Sequence, residues 1–118
     1  MRVILFVICM FVLSFGTVLS AKAQGVNAPY HFTAMQLGEL CNSEYDTDYG
    51  LCAGYVTAIA DVMLQQDIYG TSACNHKNVK SEQLIALTKR YLESNPEVAQ
   101  TPARDVVSLA LSRAFPCH

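Results

Sequence analysis

Five cysteines and three histidines are the residues of this sequence whose side chains offer the widest choice of chemistry. Cys9 stands in an apolar N-terminal run, and the other four cysteines are Cys41, Cys52, Cys74 and Cys117. His76 follows Cys74 by two residues and His118 follows Cys117 directly, so thiols and imidazoles, both zinc ligands, occur together. Such thiols form disulfides, bind a metal or act as nucleophiles, and the compartment of the protein decides among these roles.

The first 23 residues have the pattern of a secretory signal peptide. Arg2 precedes an apolar run from Val3 to Leu19, and Ala21 and Ala23 then supply the small side chains that a signal peptidase accepts. A retained membrane anchor is the alternative, but the run is short for a span and the cleavage pattern follows at once. We expect cleavage after Ala23, a mature domain of residues 24–118 in the periplasm, and no membrane association thereafter.

In an oxidising compartment, the four remaining cysteines predict two disulfides. No pair of them has the C-x-x-C spacing of a zinc site, and none is marked as an unpaired nucleophile. We therefore expect no metal, no cofactor and no catalytic residue.

The mature chain would be acidic, with six basic and ten acidic residues and a net charge of −4. No lysine or arginine occurs from Gln24 to His76, where six of the acids lie. This balance argues against nucleic acid as a partner. The sequence also lacks paired carboxylates, a nucleophile with a base and a phosphate loop, so an enzyme is not expected.

The elements that position these residues are predicted to be helices. Thr33 and Gln36 form a capping-box pattern, so a first helix should begin there and bury Leu37, Leu40 and Cys41. The polar segment from Asn42 to Gly50 should end it. A second helix from Leu51 to about Gln66 should bury Leu51, Tyr55, Ala58, Ile59 and Val62. Its small residues predict close packing at the centre of the fold: Cys52, Gly54, Ala58 and Ala60.

Two further helices complete the predicted domain. The third covers Ser81 to Ser94, and the fourth begins at Thr101-Pro102 and ends before Pro116. No segment alternates like a strand. The fold class is therefore all-α, a small four-helix bundle stapled by disulfides. Antiparallel packing would bring Cys41 to Cys52 at one end of the bundle and Cys74 to Cys117 at the other, so we expect those two pairings.

Several short motifs, taken in order, resemble the Rap/Tai immunity proteins of type VI secretion. They cover the chain from about Phe32 to Cys117 and are Cys52-Ala53-Gly54-Tyr55-Val56 with Asp61, Cys74, Gln83-Leu84 with Tyr91-Leu92, Asn95-Pro96-Glu97, Ala110-Leu111 and Phe115-Pro116-Cys117. The chain departs from the family pattern at Ala58, Asn75 and Lys80. This resemblance implies a periplasmic, disulfide-bonded homodimer that inhibits a peptidoglycan amidase toxin with a papain-like cysteine site.

The alternative function is a periplasmic acid-stress chaperone or another small disulfide-bonded binding protein. For an immunity protein, we expect the partner-binding surface in the connection between the second and third helices, which is long for a bundle. Its candidate residues are Asp67, Tyr69, Asn75, His76 and Lys77. A solvent-exposed connector with Tyr69 packed on the end of the bundle is the other interpretation.

Overall fold

The computed structural model describes residues 32–118. The expected signal peptide, its cleavage site and the N-terminal part of the mature domain lie outside the described residues.

Four α-helices form the described part of the chain, and they confirm the predicted all-α bundle. They are α1 (Ala34–Asn42), α2 (Asp46–Met63), α3 (Ser81–Ser94) and α4 (Ala103–Ala114), with a short 3-10 helix at Pro96–Val98. Each α-helix packs against the other three. None of these described helices has the length and apolar character needed to cross a bilayer.

The start of α1 confirms the capping box. Thr33 Oγ1 accepts the Gln36 backbone N–H at 3.3 Å, and Gln36 Oε1 accepts the Thr33 N–H at 2.9 Å. Ala34 and Met35, the first two residues of α1, donate their backbone N–H groups to the carbonyls of Thr101 and Ala99. Because helix N-termini leave such donors unpaired, the segment before α4 serves as a second cap and fixes α1 against it.

The predicted start of α2 at Leu51 was wrong. The helix begins at Asp46, so only residues 43–45 separate it from α1. Asp46 and Asp48 lie in the first turn of α2, where carboxylates interact favourably with the helix dipole. Ser43 adds a hydrogen bond from its hydroxyl to Asp48 Oδ2 at 2.8 Å. Asp46 and Asp48, which were expected in a loop, therefore belong to the N-terminus of the helix, and α2 ends at Met63 rather than Gln66.

The predicted core face of α2 was displaced by one residue. The helix buries Cys52, Val56, Ala60 and Met63, whereas Tyr55 and Ile59 pack at the edge of the core. Leu51 and Val62 are 62% and 40% exposed. The disulfide partner Cys52 must face α1, and this requirement turns the helix by about 100° from the face of its larger residues.

The small residues of α2 were all expected to serve close packing, but only some of them do. Cys52 and Ala60 are buried, but Ala58 is exposed and a Cβ added at Gly54 would meet no atom within 4 Å. Leu37, Ile85, Val107 and Leu111, from the other three helices, meet the buried side of α2 in one apolar core.

Both expected disulfides are present. Cys41–Cys52 joins the end of α1 to the first half of α2, and Cys74–Cys117 joins the α2–α3 connection to the C-terminus. All four cysteines of the described residues are thereby paired, so none of them is a metal ligand or a nucleophile.

Candidate functional site

The connection between α2 and α3, residues 64–80, is the longest segment outside the helices within the described range. A tight turn projects from it at residues 68–71, where Ile68 and Thr71 exchange both backbone N–H to C=O hydrogen bonds at 3.0 and 2.9 Å. The two central residues, Tyr69 and Gly70, have φ angles of 50° and 77°. Positive φ at both positions is the geometry of a two-residue hairpin turn, in which a tyrosine is unusual at the first position.

The side chain of Tyr69 is 78% exposed at the tip of this turn. The guanidinium of Arg104 lies 4.6 Å from the centre of its ring, at cation–π distance. Arg104 also lies close to Tyr55, where burial raises the pKa of the Tyr55 hydroxyl and the charge of Arg104 partly opposes that effect. The guanidinium thus orients an exposed aromatic ring beside the first turn of α4.

A second part of the connection is fixed to the C-terminus. Besides its disulfide to Cys117, Cys74 donates its backbone N–H to the carbonyl of Phe115 at 2.8 Å. Asn75 follows with a φ of 60°, a left-handed conformation that asparagine tolerates better than most residues. Asp67 and Ser72 flank the turn at residues 68–71, and Ser72 donates its hydroxyl to Asp67 at 2.6 Å. These links constrain the connection without regular secondary structure.

His76 was expected on the binding surface, but the structure buries it to 3% exposure. Its Nε2 lies 2.8 Å from the carbonyl oxygen of Ala60, and because a carbonyl only accepts, Nε2 carries the hydrogen. Ala60 is among the last four residues of α2, whose carbonyls lack partners within the helix. His76 also packs beside Phe115, with the ring centres 5.7 Å apart. The residue therefore fastens the connection to α2.

Replacing His76 by Ala is expected to lower the free energy of unfolding by about 2–3 kcal/mol, because a buried hydrogen bond and ring packing are lost together. Urea denaturation followed by circular dichroism measures this change. Lys77→Ala is the matched control: the neighbouring side chain is exposed, and its loss should change stability by no more than about 0.5 kcal/mol. Equal stability of the two variants would contradict the anchoring role of His76.

The other four predicted residues, Asp67, Tyr69, Asn75 and Lys77, are exposed along the same connection. Arg104 was not among the predicted residues, because it is 35 positions from Tyr69 and carries no local signal of the contact. The turn at residues 68–71 was not predicted either, although Gly70 is a usable turn signal. The connection offers a polar surface with one projecting aromatic residue.

Comparison with protein families agrees with the sequence motifs. The model of one family, described as Rap1a immunity proteins, matches residues 33–117. Searches among curated proteins and among solved structures return no match. Because the family match spans all four helices, both disulfides and the α2–α3 connection, the chain belongs to the Rap1a immunity protein family.

Proposed function

We propose that this protein protects its cell by binding and inhibiting a peptidoglycan amidase delivered by type VI secretion. Membership in an immunity protein family carries the proposal. An immunity protein acts by occupying its toxin, and such a role is non-enzymatic. The amidase, with a papain-like cysteine site, is the toxin class implied by the resemblance of the sequence to Rap/Tai proteins.

The periplasm is the proposed compartment. The signal-peptide pattern of residues 1–23 would export the chain. Two disulfides in so small a domain suit an oxidising compartment, because disulfides are rare in proteins that stay in the cytosol. A cell-wall amidase would act in that same compartment, so inhibitor and toxin would meet there.

The proposed contact surface is the exposed part of the 64–80 connection. The turn at residues 68–71 and the guanidinium of Arg104 hold Tyr69 in place before a partner arrives, and preorganisation of this kind lowers the entropic cost of binding. An exposed tyrosine among polar groups is a common anchor at protein interfaces, since it brings a large contact area and one hydroxyl. A projecting turn of this size suits a concave partner such as an enzyme cleft.

A protection assay tests the function. Cells exporting a cysteine-histidine amidase encoded beside this gene should lyse, and coexpression of the full chain should prevent lysis. The chain lacking residues 1–23 is the matched control and should not protect, because it stays in the cytosol. If the full chain fails to protect and instead improves survival at acidic pH without any toxin, the chaperone alternative replaces this proposal.

The protein is further proposed to form a homodimer. The exposed face of α2 is apolar for a helix surface, with Leu51 and Val62 on it and Gly54 and Ala58 between them. Nothing within the described residues packs against Gly54, so the fold of one chain does not explain its small size. A second copy packed on this face would cover the apolar side chains and approach the helix closely at the glycine.

Light scattering at micromolar concentration is expected to give twice the mass of the mature chain. Leu51→Glu should shift the mass to that of a monomer, because a carboxylate would be buried unpaired at the interface. Leu109→Glu is the control, since Leu109 is also exposed but lies on α4. A monomeric mass for the parent protein would rule out the proposed homodimer but would not contradict the immunity function.

A further inference from the structure

The two disulfides differ in their exposure to solvent. Cys41 and Cys52 are 2% and 0% exposed, and both belong to the apolar core. Cys117, in contrast, is exposed, and Cys74 is half-buried. Both of the latter line an open cavity of about 360 Å³ between the end of α2 and the 64–80 connection. A dissolved reagent can therefore reach Cys74–Cys117 in the folded protein, whereas Cys41–Cys52 reacts only after the core opens.

The chain beyond α4 is held mainly by the exposed disulfide. Phe115 is still fixed, because its carbonyl accepts the backbone N–H of Cys74 at 2.8 Å. Residues 116–118 are all exposed, and within the described part of the chain no hydrogen bond or ion pair holds them. The sulfur of Cys117 can therefore move away from that of Cys74 without disrupting a helix or the apolar core.

We propose that Cys117 is a site of reversible modification by a small thiol. The thiolate of that molecule attacks Sγ of Cys117, the more exposed of the two cysteines. The S–S bond breaks, and its electron pair leaves on Sγ of Cys74, which takes up a proton. One small thiol is consumed, and the products are a mixed disulfide at Cys117 and a free thiol at Cys74. The exchange needs no further oxidant or reductant.

The backbone around Cys74 makes this exchange reversible. The hydrogen bond from Cys74 to Phe115 does not involve the sulfurs, nor does the packing of the Phe115 ring beside His76, with ring centres 5.7 Å apart. Both contacts remain available in the modified protein and keep Cys117 close in the chain to its former partner. When the small thiol becomes scarce, the thiolate of Cys74 attacks Cys117, displaces the small thiol and restores the disulfide.

Modification of Cys117 would release the 64–80 connection from its covalent link to the C-terminus. His76 would still fasten the connection to α2, but the segment on the Tyr69 side of Cys74 would gain conformational freedom. Toxin binding would then cost more conformational entropy, a consequence that rests on the proposed function. The exchange reaction itself does not depend on a toxin and can be measured without one.

Reduced glutathione is the probe for this exchange. The folded, oxidised protein is incubated with it, samples are blocked with N-ethylmaleimide at timed intervals, and the modified peptides are identified by mass spectrometry. Glutathione is expected on Cys117 and maleimide on Cys74, at least about tenfold faster than any modification of Cys41 or Cys52. Equal rates at the two disulfides, glutathione mainly on Cys74, or no adduct at all would overturn the proposal.

The same reaction in urea is the control for the role of the fold. Once the chain is unfolded, both disulfides are accessible, so the difference between their rates should largely disappear. A difference that persists in urea would show that the residues next to each cysteine, and not burial in the bundle, determine the selectivity. That result would contradict the structural basis of the site.

Hydrogen exchange of the protein modified at Cys117 tests the effect on the connection. Amides in residues 64–80 should exchange faster than in the oxidised parent, while amides in the middle of α2 keep their protection. The core of the four helices and Cys41–Cys52 remain intact in this state, which is why α2 should be unaffected. Unchanged exchange in residues 64–80, or lost protection throughout α2, would show that the modification does not selectively release the connection.

Discussion

Replacing Cys74 and Cys117 together by Ala is expected to lower the free energy of unfolding by about 4 kcal/mol. The bond spans a sequence separation of 43, and in the chain-entropy model the stabilisation grows with the length of the closed loop. A loss of this size is a large part of the stability of a small domain, which is typically about 5–15 kcal/mol. Urea denaturation of the oxidised parent and of the variant measures it.

The paired variant of Cys41 and Cys52 is the control, because its bond spans a sequence separation of only 11 and should contribute about 2.7 kcal/mol. The two variants should also differ locally. Hydrogen exchange should accelerate in residues 64–80 when Cys74–Cys117 is removed, and near the α1–α2 junction when Cys41–Cys52 is removed. Equal urea midpoints for the parent and the Cys74, Cys117 variant would show that the C-terminus does not constrain the connection.

The sequence predicted the helices best where the signal was local. Thr33 with Gln36 located the start of α1, and Ser81 to Ser94 was correct at both ends. The face of α2 could not be predicted in the same way, because periodicity favoured the larger Leu51 and Val62 over the smaller Cys52 and Ala60. The small residues of α2 face the core because the disulfide of Cys52 joins this side of the helix to α1. A constraint from another helix cannot be read from the local pattern of α2.

The candidate site shows the same division between local and distant signals. Loop length and composition placed Tyr69 and Lys77 on the surface, but a histidine in a polar segment gave no indication that it would be buried. His76 finds its partner sixteen positions earlier, at a carbonyl that becomes available only because α2 ends nearby. Sequence reasoning could select the connection as a candidate binding surface, whereas the division between its anchors and its exposed residues required the structure.

The connection is held from three directions, and this arrangement decides what it can contribute to binding. His76 fastens it to α2, Cys74 to the C-terminus, and Arg104 orients the ring of Tyr69 from α4. A mobile segment would lose conformational entropy on meeting a partner, whereas a segment fixed at these points loses less. Less of the interaction energy of the exposed side chains would therefore be lost to ordering the connection, and Tyr69 is the aromatic residue proposed as the main contributor.

Tyr69→Ala is accordingly expected to weaken binding to the proposed amidase partner by about 30- to 100-fold, or ~2–3 kcal/mol, and to abolish protection of cells that export that amidase. Titration calorimetry with the purified amidase measures the affinity, and circular dichroism should show unchanged helicity because the ring is exposed. Tyr45→Ala is the matched control: Tyr45 is 74% exposed and lies at the opposite end of α2. If Tyr69→Ala binds and protects as well as the parent while Tyr45→Ala does not, the contact surface lies at the acidic α1–α2 junction and the role proposed for the connection is wrong.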